Sequence, residues 1–209
     1  GWDIKYVMDT HLHADYVSRT RELANMANAK HILIENARVD FQFNPVSHGG
    51  SIAFGNTALE AIYTPGHTWD SASFRIGNYA IFTGDTLFVD SIGRPDLKAD
   101  QIEAVRKAKS LYKSLHMILS LADQIMVLPA HTSAAVFFDR KLIGETIRKV
   151  NEKVDMKRMS ETQFVEYVLS KVPPAPPNYV TIAELNKKGA HDGGQLAELE
   201  AGGNHCSIA

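Results

Sequence analysis

Four apolar stretches of this chain each end in a side chain that can bind a metal ion. They are IKYVMDTH ending at His11, LEAIYTPGH ending at His67, YAIFTGD ending at Asp85 and IMVLPAH ending at His131. Short apolar runs bounded by glycine, proline and polar residues predict β-strands. If these strands share a sheet system, their ends converge on one edge, where rigid strands hold the side chains and the following loops give access. The pattern therefore predicts a metal site at a sheet edge.

The most specific local motif is THLHADY, which places His11, His13 and Asp15 at alternate positions. Two imidazoles and a carboxylate this close together favour a shared cation or a network of hydrogen bonds. The motif closes on Tyr16, a phenol that must lose a proton before it can bind a metal ion, whereas a neutral imidazole binds directly. The other histidines lack such a context and are predicted to be ordinary surface or core residues: His31, His48, His116, His191 and His205.

The remaining segments predict helices around a central run of strands. The middle third holds five strand-like segments, HILIE, SIAFG, ALEAIYT, SASFRIG and YAIFTGD. A helix capped by Asp100, with Glu103 at the capping-box position and a solvated charged face over 100–113, is predicted to bury Ile102, Val105, Ala108, Tyr112, Leu115 and Leu119. Two further helices are marked by Leu142, Ile143, Ile147, Val150 and Val154, and by a Ser160 cap before Phe164, Val165, Val168 and Leu169.

These elements predict an α+β fold in which helices cover an antiparallel or mixed sheet. The motifs GxGxxG and GxxxxGK[ST] are absent, which argues against the common nucleotide-binding layouts. A last helix, TIAELNKKG, is predicted to stop at Gly189. We therefore expect one domain over 1–189, followed by a small, polar, glycine-rich tail or linker over 190–209.

Composition limits the classes of function. A chain of 209 residues is long enough for one large domain or two small ones. Its formal net charge of -2 argues against a dedicated nucleic-acid or anionic-membrane surface, and no apolar run approaches the roughly 20 residues that cross a bilayer. The single cysteine, Cys206, excludes disulfides and a cysteine-based zinc site. It also fits a reducing compartment, so we expect a cytoplasmic protein.

Several motifs resemble those of one family. THLHAD, TPGHT, the aspartate of FTGDTLF and the histidine of LPAH resemble, in order and spacing, the metal-binding motifs of the metallo-β-lactamase superfamily. The strings GDTLFVDSIGRPDL and PPAPPNYVTIAELNKKG are similar to its persulfide dioxygenase branch, particularly the rhodanese-fused bacterial members, with glyoxalase II as a relative. The resemblance implies an αββα sandwich with the site along one edge of the paired sheets. Because family members begin with more strands, it also implies a sandwich that is N-terminally incomplete. Three alternatives follow: a partner chain or a homo-oligomer completes the sheet, the chain is a fragment, or the fold is rearranged.

The resemblance also implies a ligand set. In the dioxygenases one iron ion is held by two histidines and an aspartate, and these fall here on His11, His67 and Asp85. We therefore expect one Fe(II) per chain, with zinc as the alternative ion. Two imidazoles and a carboxylate leave a face of open positions, which suits non-haem iron and its oxygen chemistry.

A second metal position is expected to be weak or empty. In the dinuclear hydrolases of the family, His13, Asp15 and His131 help to hold one ion or the other. The position of Tyr16 is a histidine in glyoxalase II, and a phenol is a poor substitute. His13, Asp15 and His131 are therefore expected to orient ligands and handle protons, or to be remnants of a second site.

The leading hypothesis is oxygen-dependent oxidation of a thiol persulfide, most plausibly glutathione persulfide, to the thiol and sulfite. The partners would be this small molecule and O2. Arg94 is a candidate to bind a substrate carboxylate; the alternative is an ion pair with Asp96 or Asp90 that fixes its loop. A zinc or iron-zinc hydrolase of thioesters or lactones, as in glyoxalase II, is the second hypothesis. An inactive or regulatory fragment is the third.

Overall fold

The computed structural model describes residues 1, 3–132, 135–137, 139–190, 196–201 and 206–208, and His191 and His205 lie outside this part of the chain. Its strands are β1 (Tyr6–Met8), β2 (Lys30–Ile34), β3 (Asn44–Val46), β4 (Ser51–Phe54), β5 (Thr57–Tyr63), β6 (Ala72–Ile76), β7 (Ala80–Gly84), β8 (Ile92–Gly93), β9 (Met126–Pro129), β10 (Glu145–Thr146) and β11 (Ser207–Ile208). Its α-helices are α1 (Thr20–Ala27), α2 (Gln101–Leu119), α3 (Ile147–Lys153), α4 (Glu161–Ser170), α5 (Tyr179–Lys188) and α6 (Leu196–Leu199). None of these helices combines the length and apolar character that a membrane crossing requires.

Two sheets form the centre of the molecule. The first is parallel, with the strand order β1-β2-β3, and the second has six strands in the order β10-β9-β7-β6-β5-β4. The run from β4 to β7 is antiparallel, as the predicted hairpins require, and β9 lies parallel to β7. β3 was not predicted because its sequence, Asn-Pro-Val, contains a proline, which strands tolerate at a sheet edge such as this one.

The sheets pack face to face and carry helices on their outer sides. Neighbouring residues of β5 point to opposite faces, so Ala61 packs with Ile32 between the sheets, while Ile62 lies in a second core with Leu111 of α2 and Phe164 of α4. On the first sheet, α1 contacts β1 and β2. The molecule is therefore layered as helix, sheet, sheet and helix, and the predicted α+β class is confirmed.

Helix α2 begins where predicted, and most of its predicted buried stripe is confirmed: Ala108, Leu115 and Leu119 are buried, and Val105 and Tyr112 pack against the core. The Asp100 carboxylate accepts a hydrogen bond from the Glu103 backbone N–H at 2.8 Å. Ile102, expected in the core, is 66% exposed, whereas Lys107, expected on the solvated face, is buried. The reason is that α2 packs closely on the loop after β5, where the Ser114 hydroxyl donates to a loop carbonyl. This contact widens the buried stripe toward Lys107, Leu111 and Ser114.

The segments on either side of α3 also differ from expectation. The predicted helix from Leu142 is wrong in its first turn, because Glu145 and Thr146 pair with β9 and α3 starts only at Ile147. The Ser160 cap of α4 is confirmed, with a complete capping box to Gln163.

The last segment packs on the domain at several points. Leu196, Cys206 and Ile208 are buried, and β11 pairs with β8. The described part of 190–209 is therefore not a loose tail. The prediction missed these three buried residues because they are isolated in a glycine-rich stretch, and the average composition of the stretch does not reveal them. The domain boundary at residue 189 stays a prediction.

Candidate metal centre

Three buried side chains converge at the edge where β1, β5 and β7 end. Asp85 Oδ2 lies 3.9 Å from His11 Nε2 and 3.6 Å from His67 Nε2. The ligand atoms of the three residues all lie within 4.8 Å of one another. These separations are too long for hydrogen bonds and near the roughly 3–3.5 Å expected between atoms that lie about 2.0–2.2 Å from one shared ion.

The hydrogen bonds around these residues leave the converging atoms free for an ion. Among the described residues, His11 Nε2 and Asp85 Oδ2 are buried and have no hydrogen-bond partner. His67 Nδ1 donates to the backbone carbonyl of Arg94 at 2.7 Å, which turns Nε2 toward Asp85. Burial lowers the pKa of both His11 and His67, so both rings are neutral at pH 7 and can act as ligands. The predicted set of two histidines and one carboxylate therefore fits a metal ion.

His131 forms a bridge behind this group. Its Nδ1 donates to Asp85 Oδ1 at 2.7 Å, and its Nε2 donates to Asp15 Oδ2 at 3.0 Å. Burial opposes protonation, but the two carboxylates prevail and raise the pKa of His131 to about 10. His131 thus occupies one oxygen of Asp85 and leaves the other turned toward the two histidines.

A second group of ligand atoms includes Cys206, which had been set aside as a metal ligand because it is the single cysteine of the chain. Asp15, His131 and Cys206 each offer one atom, and these atoms lie within 4.8 Å of one another. Burial, followed by the charges of Asp85 and Asp15, raises the pKa of the Cys206 thiol. Nothing in the sequence signalled this cysteine, because it lies 75 positions after His131 in a segment without periodicity.

His13 and Tyr16 form a pair beside the candidate centre. The Tyr16 hydroxyl hydrogen-bonds to His13 Nε2 at 2.8 Å. The opposite nitrogen, His13 Nδ1, is buried, has no hydrogen-bond partner among the described residues, and lies 3.9 Å from Asp15 Oδ1. Burial and nearby carboxylates raise the pKa of Tyr16, so the phenol stays protonated and is not a metal ligand.

Glycines let the ligand-bearing loops come together. At Gly66, φ is +142° and an added Cβ would lie 2.4 Å from Leu111 Cα. At Gly93, an added Cβ would lie 1.8 Å from the Asp85 carbonyl oxygen. At both positions the backbone lies so close to a neighbouring segment that only glycine fits, and both positions lie next to a ligand residue.

Of the two roles predicted for Arg94, the structure supports the ion pair. Its Nε and Nη2 donate to the two Asp96 carboxylate oxygens, both at 2.8 Å. Its guanidinium also donates to the carbonyls of Pro173 and Pro174. The side chain is 1% exposed, so its fork of donors holds its own loop to the proline-rich segment 172–178 and does not face a substrate. Its catalytic role is thus unsupported, although its carbonyl orients His67.

A cleft of about 540 Å³ opens beside His67. Trp69, Lys107 and Glu103 lie in its wall, and the Trp69 indole N–H donates to the Glu103 carboxylate. Lys107 was missed because the charged residues of 100–113 were assigned to a solvated face; the spacing of Ala104, Ala108, Leu111 and Leu115 could have revealed it.

The sequence and the fold of this chain are similar to those of known proteins. The model of the metallo-beta-lactamase superfamily matches residues 1–136. The mitochondrial persulfide dioxygenase ETHE1 of Mus musculus is 32% identical over 136 residues, which are 63% of this chain and 50% of that protein. A hydroxyacylglutathione hydrolase of Idiomarina loihiensis is 30% identical over 162 residues, which are 76% of this chain and 60% of that protein. The chain thus spans about half the length of the persulfide dioxygenase it matches.

A solved structure agrees with the same assignment. The crystal structure of ETHE1 from Myxococcus xanthus superposes with a TM-score of 0.76 and 26% identity, over 90% of this chain and 78% of that one. The two chains therefore share their fold as well as part of their sequence. Since the family model also covers well over half of its 209 residues, the chain belongs to the metallo-beta-lactamase superfamily.

Proposed function

We propose that the chain is a persulfide dioxygenase that converts glutathione persulfide, O2 and water to glutathione and sulfite. The balanced reaction is RSSH + O2 + H2O → RSH + H2SO3, in which the outer sulfur loses the four electrons that O2 accepts. The observation that carries the proposal is the convergence of two neutral imidazoles and one carboxylate at His11, His67 and Asp85. This ligand set suits iron(II) with open positions. Similarity to a persulfide dioxygenase supports it.

The roles of the residues follow from their contacts. His11, His67 and Asp85 would hold the iron, which when bound supplies the one-electron and oxygen chemistry that side chains lack. His131 holds a proton between Asp15 and Asp85 and keeps one Asp85 oxygen directed at the histidines. The cleft beside His67 positions the thiol carrier next to the centre, which makes the oxidation effectively intramolecular.

The test measures metal and oxygen together. The protein is purified under reducing conditions, its metals are quantified, and O2 uptake and sulfite release are followed with glutathione persulfide after loading with iron(II) or zinc. We expect one iron per chain and turnover with iron. His11→Ala and Asp85→Asn should lose both metal and turnover, whereas His48→Ala, at an exposed histidine, should keep them. Retention of zinc alone, with no O2 uptake after iron loading, would refute the proposal.

A second candidate function rests on the Asp15, His131 and Cys206 group, which could hold a second ion. Two ions would favour hydrolysis of a thioester by a metal-bound hydroxide, the chemistry of glyoxalase II. Similarity to a hydroxyacylglutathione hydrolase supports this candidate. Two metals per chain with turnover of S-lactoylglutathione would select it over the dioxygenase.

A further inference from the structure

Lys107 is a buried cation whose bonding within the chain is incomplete. It is 5% exposed and lies in the wall of the cleft beside His67. An ammonium group has three N–H donors. Within the described part of the chain, Lys107 Nζ makes one hydrogen bond, to the Leu97 carbonyl at 3.1 Å, and no ion pair. Three carboxylates act on this charge only from beyond ion-pair distance: those of Asp96, Glu103 and Asp70. A buried charge without a paired partner is costly, so we expect an anion to complete its bonding.

The other charged groups of the cleft leave room for such an anion. Both carboxylates of the wall already accept hydrogen bonds: Asp70 from the Leu12 backbone N–H at 2.8 Å, and Glu103 from the Trp69 indole. Arg38 and Lys98 line the exposed part of the cleft and add positive charge near its mouth, although Lys98 pairs with Glu184. The one deeply buried cation of the described wall is thus Lys107.

Lys107 and the candidate metal centre face the same space. The side chains of Lys107 and His67 both line this cleft. The cleft, about 540 Å³, is within the usual range for sites that hold a small molecule. A ligand that extends from Lys107 to His67 therefore fits between an ammonium and the metal ligands.

We propose that Lys107 binds a carboxylate of the thiol substrate, so that the cleft selects acidic thiol carriers and directs their sulfur toward His67. This inference rests on the proposed function for the identity of the reacting group. It gives Lys107 the role that the sequence had suggested for Arg94. A lysine suits it as a compact charge on a flexible stem that can reach a carboxylate without a fixed planar geometry.

The test compares Lys107→Met with Lys109→Met on the same helix. Lys109 is a suitable control because its side chain is 52% exposed and points to Glu161 rather than into the cleft. For glutathione persulfide, Lys107→Met should raise KM by about 10–100-fold, the range expected for one hydrogen bond to a charged group, with kcat changed less than about twofold. For the persulfide of glutathione diethyl ester, which lacks carboxylates, both variants should match the unaltered protein. Lys107→Arg should restore part of the lost affinity.

A binding measurement separates this inference from the proposed reaction. S-methylglutathione carries both carboxylates but cannot be oxidised as a persulfide, so its affinity can be measured by calorimetry whether or not any turnover occurs. Weaker binding to Lys107→Met than to Lys109→Met, with equal thermal stability and metal content, supports the carboxylate site even if O2 uptake fails. Equal affinity for the two variants, or an equal loss with the diethyl ester of S-methylglutathione, would overturn it.

Discussion

At the scale of single residues, Tyr16 separates the two candidate functions. Its hydroxyl is held by His13 Nε2, and a phenol whose pKa is raised above its usual value near 10 by partial burial and nearby carboxylates is protonated at pH 7. The second group of ligand atoms, around Asp15 and His131, therefore lacks an imidazole that a dinuclear hydrolase would supply. The tyrosine thus favours one metal ion per chain.

Replacing Tyr16 by histidine should raise the metal content from one toward two ions per chain. A neutral imidazole can bind at pH 7 without first losing a proton, which the phenol cannot do. Elemental analysis after dialysis against zinc or iron(II) measures the effect. Tyr16→Phe is the control, because it removes the bond to His13 without adding a ligand, and it should leave the metal content unchanged. An unchanged single ion in Tyr16→His would count against this interpretation.

Residue types and spacing predicted that ligand side chains at strand ends converge, whereas the choice of His11, His67 and Asp85 among them came from the family resemblance. His11, His67 and Asp85 each follow a short apolar strand, and strand ends that share an edge must meet. Lys107 and Cys206 were missed for different reasons. Lys107 lies on a face of α2 that the spacing of small and apolar residues could have revealed, whereas the position of Cys206 depends on the return of the chain end to β8, which no local pattern encodes. Arg94 was ambiguous because a forked donor suits a substrate and a neighbouring aspartate equally well.

At the scale of elements, the close contact between α2 and the loop after β5 places His67. An alanine Cβ at position 66 would collide with the backbone of Leu111, which cannot move without shifting α2. The strand order was predictable only in part. Strands joined by a hairpin pair with each other because of the turn residues between them. The parallel pairing of β7 with β9 joins two strands that all of α2 separates in the sequence, and no turn predicts it.

Gly66→Ala should lower the free energy of unfolding by about 3 kcal/mol or more, combining overpacking with strain at a positive φ. It should also weaken metal binding, because His67 follows directly. Chemical denaturation and metal titration measure the two effects. Gly55→Ala is a matched control, since φ there is +55° but no atom lies within 4 Å of the added Cβ. If Gly55→Ala lowers the free energy of unfolding as much as Gly66→Ala does, backbone strain alone, and not the contact with α2, explains the change.

At the scale of the whole molecule, the metal ligands connect the two sheets. His11 follows β1 in the first sheet, whereas His67 and Asp85 follow β5 and β7 in the second. An ion bound by all three therefore stabilises the packing of one sheet on the other. Because the unfolded chain does not hold the three residues together, binding should appear as added stability.

Metal removal should accordingly lower the melting temperature. A free ion at about a hundred times its dissociation constant adds roughly 2.7 kcal/mol to the free energy of unfolding. This corresponds to a melting temperature higher by about 5–10 °C for a chain of this size. Calorimetry with added iron(II) or with a chelator measures the shift. Asp85→Asn should show no response to metal, and His48→Ala should respond like the unaltered protein. An equal melting temperature with added iron(II) and with a chelator would mean that the ion does not bridge the sheets.

The position of Trp69 makes the cleft observable by fluorescence. The sequence has two tryptophans, Trp2 and Trp69, so a Trp2→Phe variant would carry a single indole, and that indole lies in the cleft wall with its N–H bonded to Glu103. A ligand that enters between Trp69 and Lys107 must change the solvent around this ring. Its emission then reports occupancy in real time, in the presence or absence of oxygen, and without a label.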